Sequence, residues 1–141
     1  MRNKNLVARH ETSREELADL RNAVRRNLAD AVIPQVSADN RFGLAYEAAL
    51  LLAKMALACA GYRVKGHGAH HTTFVALKLA LGPEIGPTAN YLERCRRNRN
   101  KLSYDAAGVA TDQDAAELLA EARALEDRVE QWIAQNHPQF A

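Results

Sequence analysis

An apolar segment, residues 39–60, sets the strongest limit on the architecture of this chain. Its leucine, alanine, methionine and cysteine positions cover most of the circumference of a helix, and Gly61 follows at the position just past a helix end. A helix that is apolar nearly all round has to be enclosed by other elements. We therefore expect this segment to be the central helix, with its alanines allowing neighbouring helices to approach closely.

The rest of the chain also carries helical periodicity, and no alternating strand pattern or repeat is visible. The first helix is expected to begin with a capping box, formed either by Thr12 with Glu15 or by Ser13 with Glu16, and to end at Pro34. Other helix caps are expected at Asp39, Thr88 and Thr111. The apolar seam of the last helix packs either within the bundle or across a dimer. We predict an all-α fold with four long helices and one short helix, over residues 12–33, 39–60, 72–81, 88–103 and 111–135.

Length and composition indicate one globular domain. The chain has 141 residues, of which 48% are hydrophobic and 26% charged, so bulk disorder is not expected. We assign the domain to residues 12–135, with an N-terminal extension at residues 1–11 and a C-terminal tail at residues 136–141.

The N-terminal residues MRNKNLVARH lack the apolar core of a signal peptide. The longest apolar stretch, residues 48–60, is interrupted by Lys54 and is too short to span a bilayer. Without an export signal, Cys59 and Cys95 are expected to be buried thiols rather than a disulfide. These features predict a cytoplasmic protein with no membrane partner.

The net charge is only +2, but the charge is unevenly distributed. Residues 62–105 hold eight Lys and Arg against three Asp and Glu, whereas residues 111–133 hold two against seven. Such asymmetry attracts a polyanion to one end of a molecule, although solvated helix faces also differ in sign. Both interpretations stay open.

The most unusual segment is residues 94–101, with five cations in eight positions. Arg94, Arg97 and Lys101 share one side of a helix and fit a solvated face. Arg99 instead lies beside the apolar stripe that includes Cys95. A cation beside an apolar stripe is costly to bury unless it is paired or used, which distinguishes Arg99 from its neighbours.

The segment Arg99-Asn100-Lys101-Leu102-Ser103-Tyr104-Asp105 resembles the signature of HEPN domains, an Arg followed four to six residues later by His, often with Asn after the Arg. The stretch AYEAALLLAKMALACAGYRVKGHGAHHTTF also resembles one branch of that family, in which a long Ala/Leu helix leads into a basic loop containing histidine. The resemblance covers residues 12–135 and implies an antiparallel HEPN-like helical bundle.

The resemblance also implies a homodimer whose inter-subunit groove cuts RNA without a metal or cofactor, with Arg99 and Tyr104 as catalytic residues and Asn100 beside them. Tyr104 stands where the family has His, and tyrosine, which titrates near pH 10, is a poor base at neutral pH. We therefore expect binding of RNA or a nucleotide. The alternatives are a metal-independent ribonuclease toxin of a toxin–antitoxin or defence system, and a non-catalytic partner of a nucleotidyltransferase, an antitoxin or another protein.

A second candidate segment is the basic, glycine-containing loop of residues 62–71. Its histidines and cations fit phosphate, while a metal site is not expected because the spacing is not that of a standard ligand set. A plain exposed loop is the alternative, and nothing in the sequence positions a histidine there for acid–base work. The full set of expected RNA- or nucleotide-binding residues is Arg99, Asn100, Arg96, Arg63, Lys65 and His70.

Overall fold

The computed structural model describes residues 7–66, 68–104 and 110–141, and for residues 99–104 it describes the backbone alone. Most of the described chain is helical, which confirms the predicted class. The helices are α1 (Arg14–Asp30), α2 (Ala38–Ala60), α3 (Ala69–Leu81), α4 (Gly86–Tyr104) and α5 (Asp112–Asn136). Two single turns of 3₁₀-helix lie at Pro83–Ile85 and Pro138–Phe140.

The five predicted helices do not account for the whole fold, which also contains a small two-stranded sheet. Strand β1 (Val7–Arg9) pairs antiparallel with strand β2 (Tyr62–Val64), with Val7 opposite Val64. Each strand has three residues, which is too short for an alternating pattern to stand out in the sequence. Part of the predicted N-terminal extension therefore belongs to the fold, because the backbone groups of β1 form hydrogen bonds with those of β2.

Side-chain caps fix where the first two helices begin. The Ser13 hydroxyl accepts a hydrogen bond from the Glu16 amide, so Ser13 rather than Thr12 is the N-cap of α1. The Glu16 carboxylate is engaged by His10 and Thr12. Helix α1 ends at Asp30, earlier than expected. Ser37 caps α2 rather than Asp39, whose carboxylate accepts a hydrogen bond from the Ala110 amide instead.

The other helix ends follow glycine and cap chemistry. Gly61 ends α2 in the left-handed conformation at φ +96°, as predicted. Helix α3 begins at Ala69, before the predicted residue 72, and α4 begins at Gly86 directly after the first 3₁₀ turn, so Thr88 is not its cap. The predicted cap at Thr111 is confirmed, and it forms a full capping box with Asp114 at the start of α5.

Helix α2 is the centre of the molecule, as its composition predicts. It contacts α1, α3, α4 and α5, and most of its side chains are buried. The seam of α5, including Leu118, Leu125 and Val129, is buried and α5 packs against α2. The seam is thus used within the chain, which resolves the choice that its spacing left open.

By length and composition alone, α2 is long and apolar enough to cross a membrane, with a mean hydropathy of 1.5 in its most apolar window. This differs from the sequence expectation, which considered only residues 48–60. Within the fold, 72% of that window is buried, and core helices of soluble proteins meet the same criterion.

Candidate functional site

Helix α4 carries the cationic segment, and it runs continuously to Tyr104. The side chains of Arg99, Asn100 and Tyr104 lie outside the described residues, so their predicted roles stay predictions. The described arginines of α4 are Arg94, Arg96 and Arg97.

Arg96 differs from the two other described arginines of α4. Its side chain is 25% exposed, against 59% for Arg97. Its guanidinium donates from Nε and Nη2 to Oε2 of Glu93, at 3.0 and 2.7 Å. Arg94 is exposed, with its guanidinium 5.6 Å from the centre of the Tyr91 ring. Arg96 is therefore held in one orientation, whereas Arg97 is largely solvated.

The same carboxylate oxygen binds a histidine of α3. Nδ1 of His71 lies 2.9 Å from Oε2 of Glu93, and a carboxylate can only accept, so we assign the proton to Nδ1. The early start of α3 makes this contact possible, because His71 then belongs to the first helical turn. The His71 side chain is 56% exposed and that of Glu93 18%, so the imidazole faces solvent while its partner is largely enclosed.

Glu93 is held in its charged form. Burial raises its pKa, but the hydrogen bonds from Arg96 and His71 outweigh burial and lower the pKa below the usual 4.5. Its other oxygen, Oε1, is buried and accepts no hydrogen bond from the described part of the chain. The carboxylate thus fixes one arginine and one histidine side by side.

His70 lies against the central helix. Its Nδ1 is 3.1 Å from the hydroxyl of the fully buried Tyr46, and the Phe74 ring meets Tyr46 edge-on. Arg96 is also close enough to Tyr46 to interact with it electrostatically. We call Tyr46, His70, His71, Glu93 and Arg96 the α3–α4 cluster. It joins the histidines of the basic loop to the cationic segment of α4.

The fold does not bring every predicted binding residue to this cluster. Arg63 lies on β2 and lines a separate pocket with His10 and Glu16. Lys65 is exposed just after β2, and no contact of the described residues joins either cation to Arg96. Of the predicted residues with described side chains, the structure therefore brings together His70 and Arg96 only.

Sequence reasoning missed Glu93 and Tyr46. The three- and four-residue spacing of Glu93 to Arg96 and Arg97 was a usable signal for ion pairs on one helix. The contact of Glu93 with His71 had no such signal, since it joins two helices through tertiary packing.

The two cysteines are buried free thiols, as predicted, and burial raises the pKa of each to about 11. They are therefore protonated and unreactive at neutral pH. Among the described residues, no three His, Cys, Asp or Glu side chains are grouped so that they could hold a metal ion.

No protein-family model matches this chain, and neither a curated protein nor a solved structure matches it. The resemblance to HEPN domains therefore stays a hypothesis drawn from the motif around Arg99 and from the apolar helix α2.

Proposed function

We propose that this chain binds RNA through the phosphate backbone at the α3–α4 cluster and the adjoining cationic end of α4. The observation that carries the proposal is the hydrogen-bonded group of His71, Glu93 and Arg96. It joins two segments that are separately basic in the sequence. Phosphate contacts from Arg and Lys supply most of the affinity of such proteins for nucleic acid.

The charges around the cluster favour an anion. Glu93 offsets one positive charge, but Arg94 and Arg97 lie exposed on the same helix, and Arg99 and Lys101 follow in sequence. A fixed guanidinium loses less conformational freedom on binding than a mobile one. Arg96 would thus orient the phosphate, and the exposed cations would attract the RNA.

The motif at Arg99 extends this proposal to the whole assembly. By its resemblance to HEPN domains, the chain would form an antiparallel helical bundle that dimerises, with Arg99 of both subunits in one groove and Asn100 and Tyr104 at its edge. Sedimentation at micromolar concentration tests this part, and a protein that stays monomeric would contradict the inter-subunit groove.

The binding proposal is tested by titrating a short single-stranded RNA at fixed salt against matched arginine variants. Arg99→Ala and Arg96→Ala should weaken binding about tenfold or more, because charge-assisted hydrogen bonds are worth roughly 1.5–3 kcal/mol. Arg94→Ala and the control Arg128→Ala on the acidic helix α5 should change binding by about threefold or less. Equal small losses in all four variants would mean a diffuse positive surface, and no binding by the unaltered chain would favour a protein-partner role.

A second candidate function, metal-independent RNA cleavage, is favoured by the His71–Glu93 pair. Because the Glu93 carboxylate accepts a hydrogen bond from Nδ1–H of His71, Nε2 of His71 would be the basic nitrogen and could take the proton of a 2′-hydroxyl. A carboxylate that orients a histidine in this way serves acid–base catalysis in several enzyme classes. In this role His71 would replace the histidine that the motif lacks at Tyr104.

Cleavage assays in EDTA separate the two functions. If the protein cleaves RNA, the His71→Ala variant should lose cleavage activity and keep its RNA affinity within about threefold, since the arginines remain. If Tyr104→Phe removes cleavage and His71→Ala does not, Tyr104 is the acid–base group instead. If the unaltered chain binds RNA without cutting it and only the Tyr104→His variant cleaves, the unaltered chain is a binding protein. If neither binding nor cleavage is found, the remaining proposal is a non-catalytic partner of a nucleotidyltransferase or an antitoxin.

A further inference from the structure

A pair of adjoining pockets lies at the junction of β2 with α1, α2 and α3. The first pocket has a volume of about 200 Å³ and is lined by charged and apolar side chains. The second has a volume of about 300 Å³ and is almost entirely apolar. Leu57, Tyr62 and Val64 line both pockets, so the two pockets adjoin each other. We call the first the basic pocket and the second the apolar groove.

Two cations in the basic pocket have no carboxylate partner. Lys54 projects from α2 between the buried residues Ala53 and Met55, and Arg63 lies on β2. Across the described chain, neither forms an ion pair with a carboxylate within 4 Å. An exposed lysine that interrupts the apolar stretch of residues 48–60 is the feature that the proposed RNA site leaves unexplained.

The one carboxylate in the basic pocket, that of Glu16, is already engaged. Its Oε1 lies 2.7 Å from Nε2 of His10 and also accepts a hydrogen bond from the Thr12 hydroxyl. These two hydrogen bonds, with a smaller effect of Arg63, lower the pKa of Glu16 below its usual value. Glu16 therefore reduces the positive potential of the pocket without binding Lys54 or Arg63 directly.

The apolar groove adjoins the basic pocket along their shared lining residues. Val7 and Val64 are opposite each other in the two-stranded sheet and form one wall, and Ala76, Leu79 and Ala80 of α3 form the other. Leu79 is 81% exposed although it is a large apolar side chain. Small side chains on α3 leave the groove open, and covering its apolar surface would remove Leu79 from water.

We propose that these two pockets bind one molecule of an anionic amphiphile, with its phosphate or carboxylate between Lys54 and Arg63 and its alkyl chain in the apolar groove. The charge complementarity is local, because both cations line the basic pocket and no charged residue lines the adjoining apolar groove. This binding is separate from the proposed RNA binding, because no residue of the α3–α4 cluster lines either pocket.

The probe is octyl phosphate, kept below the concentration at which it forms micelles, and titrated by calorimetry and by methyl NMR. It should bind at least tenfold more tightly than either octanol or inorganic phosphate, because only octyl phosphate satisfies both pockets. Lys54→Met and Arg63→Met should each weaken octyl phosphate binding about threefold to tenfold and leave octanol binding unchanged. Lys78→Met is the matched control, since that exposed lysine of α3 lies beside Gly86 and lines neither pocket.

The tail site is tested with Leu79→Ser, a change at a side chain exposed enough to leave the fold intact. It should weaken octyl phosphate and octanol alike and leave inorganic phosphate unaffected. Octyl phosphate binding no tighter than octanol, or equal losses in Lys54→Met and Lys78→Met, would overturn the proposal. Binding to vesicles of anionic lipid without binding of monomeric octyl phosphate would assign the surface to a membrane instead. A dimer that Leu79→Ser dissociates, without octyl phosphate binding, would assign the groove to a second copy of the chain.

Discussion

Half-buried charge pairs fix the relative position of distant parts of this chain at the scale of single residues. Arg21 of α1 binds both oxygens of Glu130 on α5, at 2.8 and 2.9 Å, and its Nη2 donates to the carbonyl of Phe140 at 2.6 Å. One side chain therefore connects the first helix, the last helix and the C-terminal turn. Part of the predicted C-terminal tail is held in the fold by this contact.

Arg21→Met should lower the free energy of unfolding by about 1–3 kcal/mol, because Glu130 and the Phe140 carbonyl lose their donor in a partly buried place. Arg25→Met is the control, since Arg25 is exposed on the same helix. Its replacement should change the free energy of unfolding by no more than about 0.5 kcal/mol. Urea denaturation measures both variants. Equal effects would mean that the ion pair contributes nothing beyond an ordinary surface charge.

Glu93 makes stability depend on pH in a defined direction. Its pKa in the folded chain is lowered below 4.5, so the unfolded state binds the proton more tightly than the folded state. The stabilisation from the ionised carboxylate is therefore complete above pH 4.5 and is lost as the pH falls through the lowered pKa. We expect the stability difference between the unaltered chain and Glu93→Gln to be largest near neutral pH and to shrink below pH 4.5. A difference that grows on acidification would contradict the assignment.

Glycines and caps decide where one element stops and the next begins. Helix α2 offers two glycines in opposite situations: Gly61 ends it at φ +96°, and Gly43 lies within its first two turns. A Cβ at Gly43 would meet no atom within 4 Å, whereas any side chain at Gly61 is strained by the backbone conformation.

Gly61→Ala should destabilise the chain by about 1 kcal/mol or more, because alanine disfavours the left-handed conformation. Gly43→Ala should stabilise it by about 0.5–1 kcal/mol, because alanine is the better helix former and the space is open. Thermal unfolding followed by circular dichroism at 222 nm gives both signs in one experiment. If both changes lower stability, the space around Gly43 is more restricted than the structure indicates.

The whole molecule is organised around α2, whose buried surface is rich in alanine. Ala49, Ala53 and Ala56 are fully buried, and α1, α3, α4 and α5 all pack on this helix. Interiors are close-packed, so the spacing between helices is set by these small side chains.

Ala53→Leu should therefore destabilise the chain by about 1–3 kcal/mol through overpacking, although leucine is a good helix former. Ala120→Leu, at an exposed position of α5, is the matched control and should change the free energy of unfolding by no more than about 0.5 kcal/mol. Denaturant midpoints of the two variants test this. A tolerated Ala53→Leu would mean that the helices around α2 can move apart.

The sequence by itself determined the helical class, the central place of α2 and the caps at Gly61 and Thr111, and it limited the N-cap of α1 to Thr12 or Ser13. These features depend on local chemistry: the period of apolar residues, a hydroxyl that accepts an amide hydrogen bond, and a residue free to adopt positive φ. The predicted start of α3 was wrong because that helix lacks a side-chain cap that a sequence pattern would show.

Only the tertiary structure decided which functional side chains meet. The pairing of β1 with β2, the contact of His71 with Glu93 and the separation of Arg63 from Arg96 all join or divide residues far apart in the chain. No local period encodes such contacts, because they depend on how α3 and α4 pack on α2 and on where β2 leaves it. The cations were therefore recognisable as charges in the sequence, but their division between two separate surfaces required the fold.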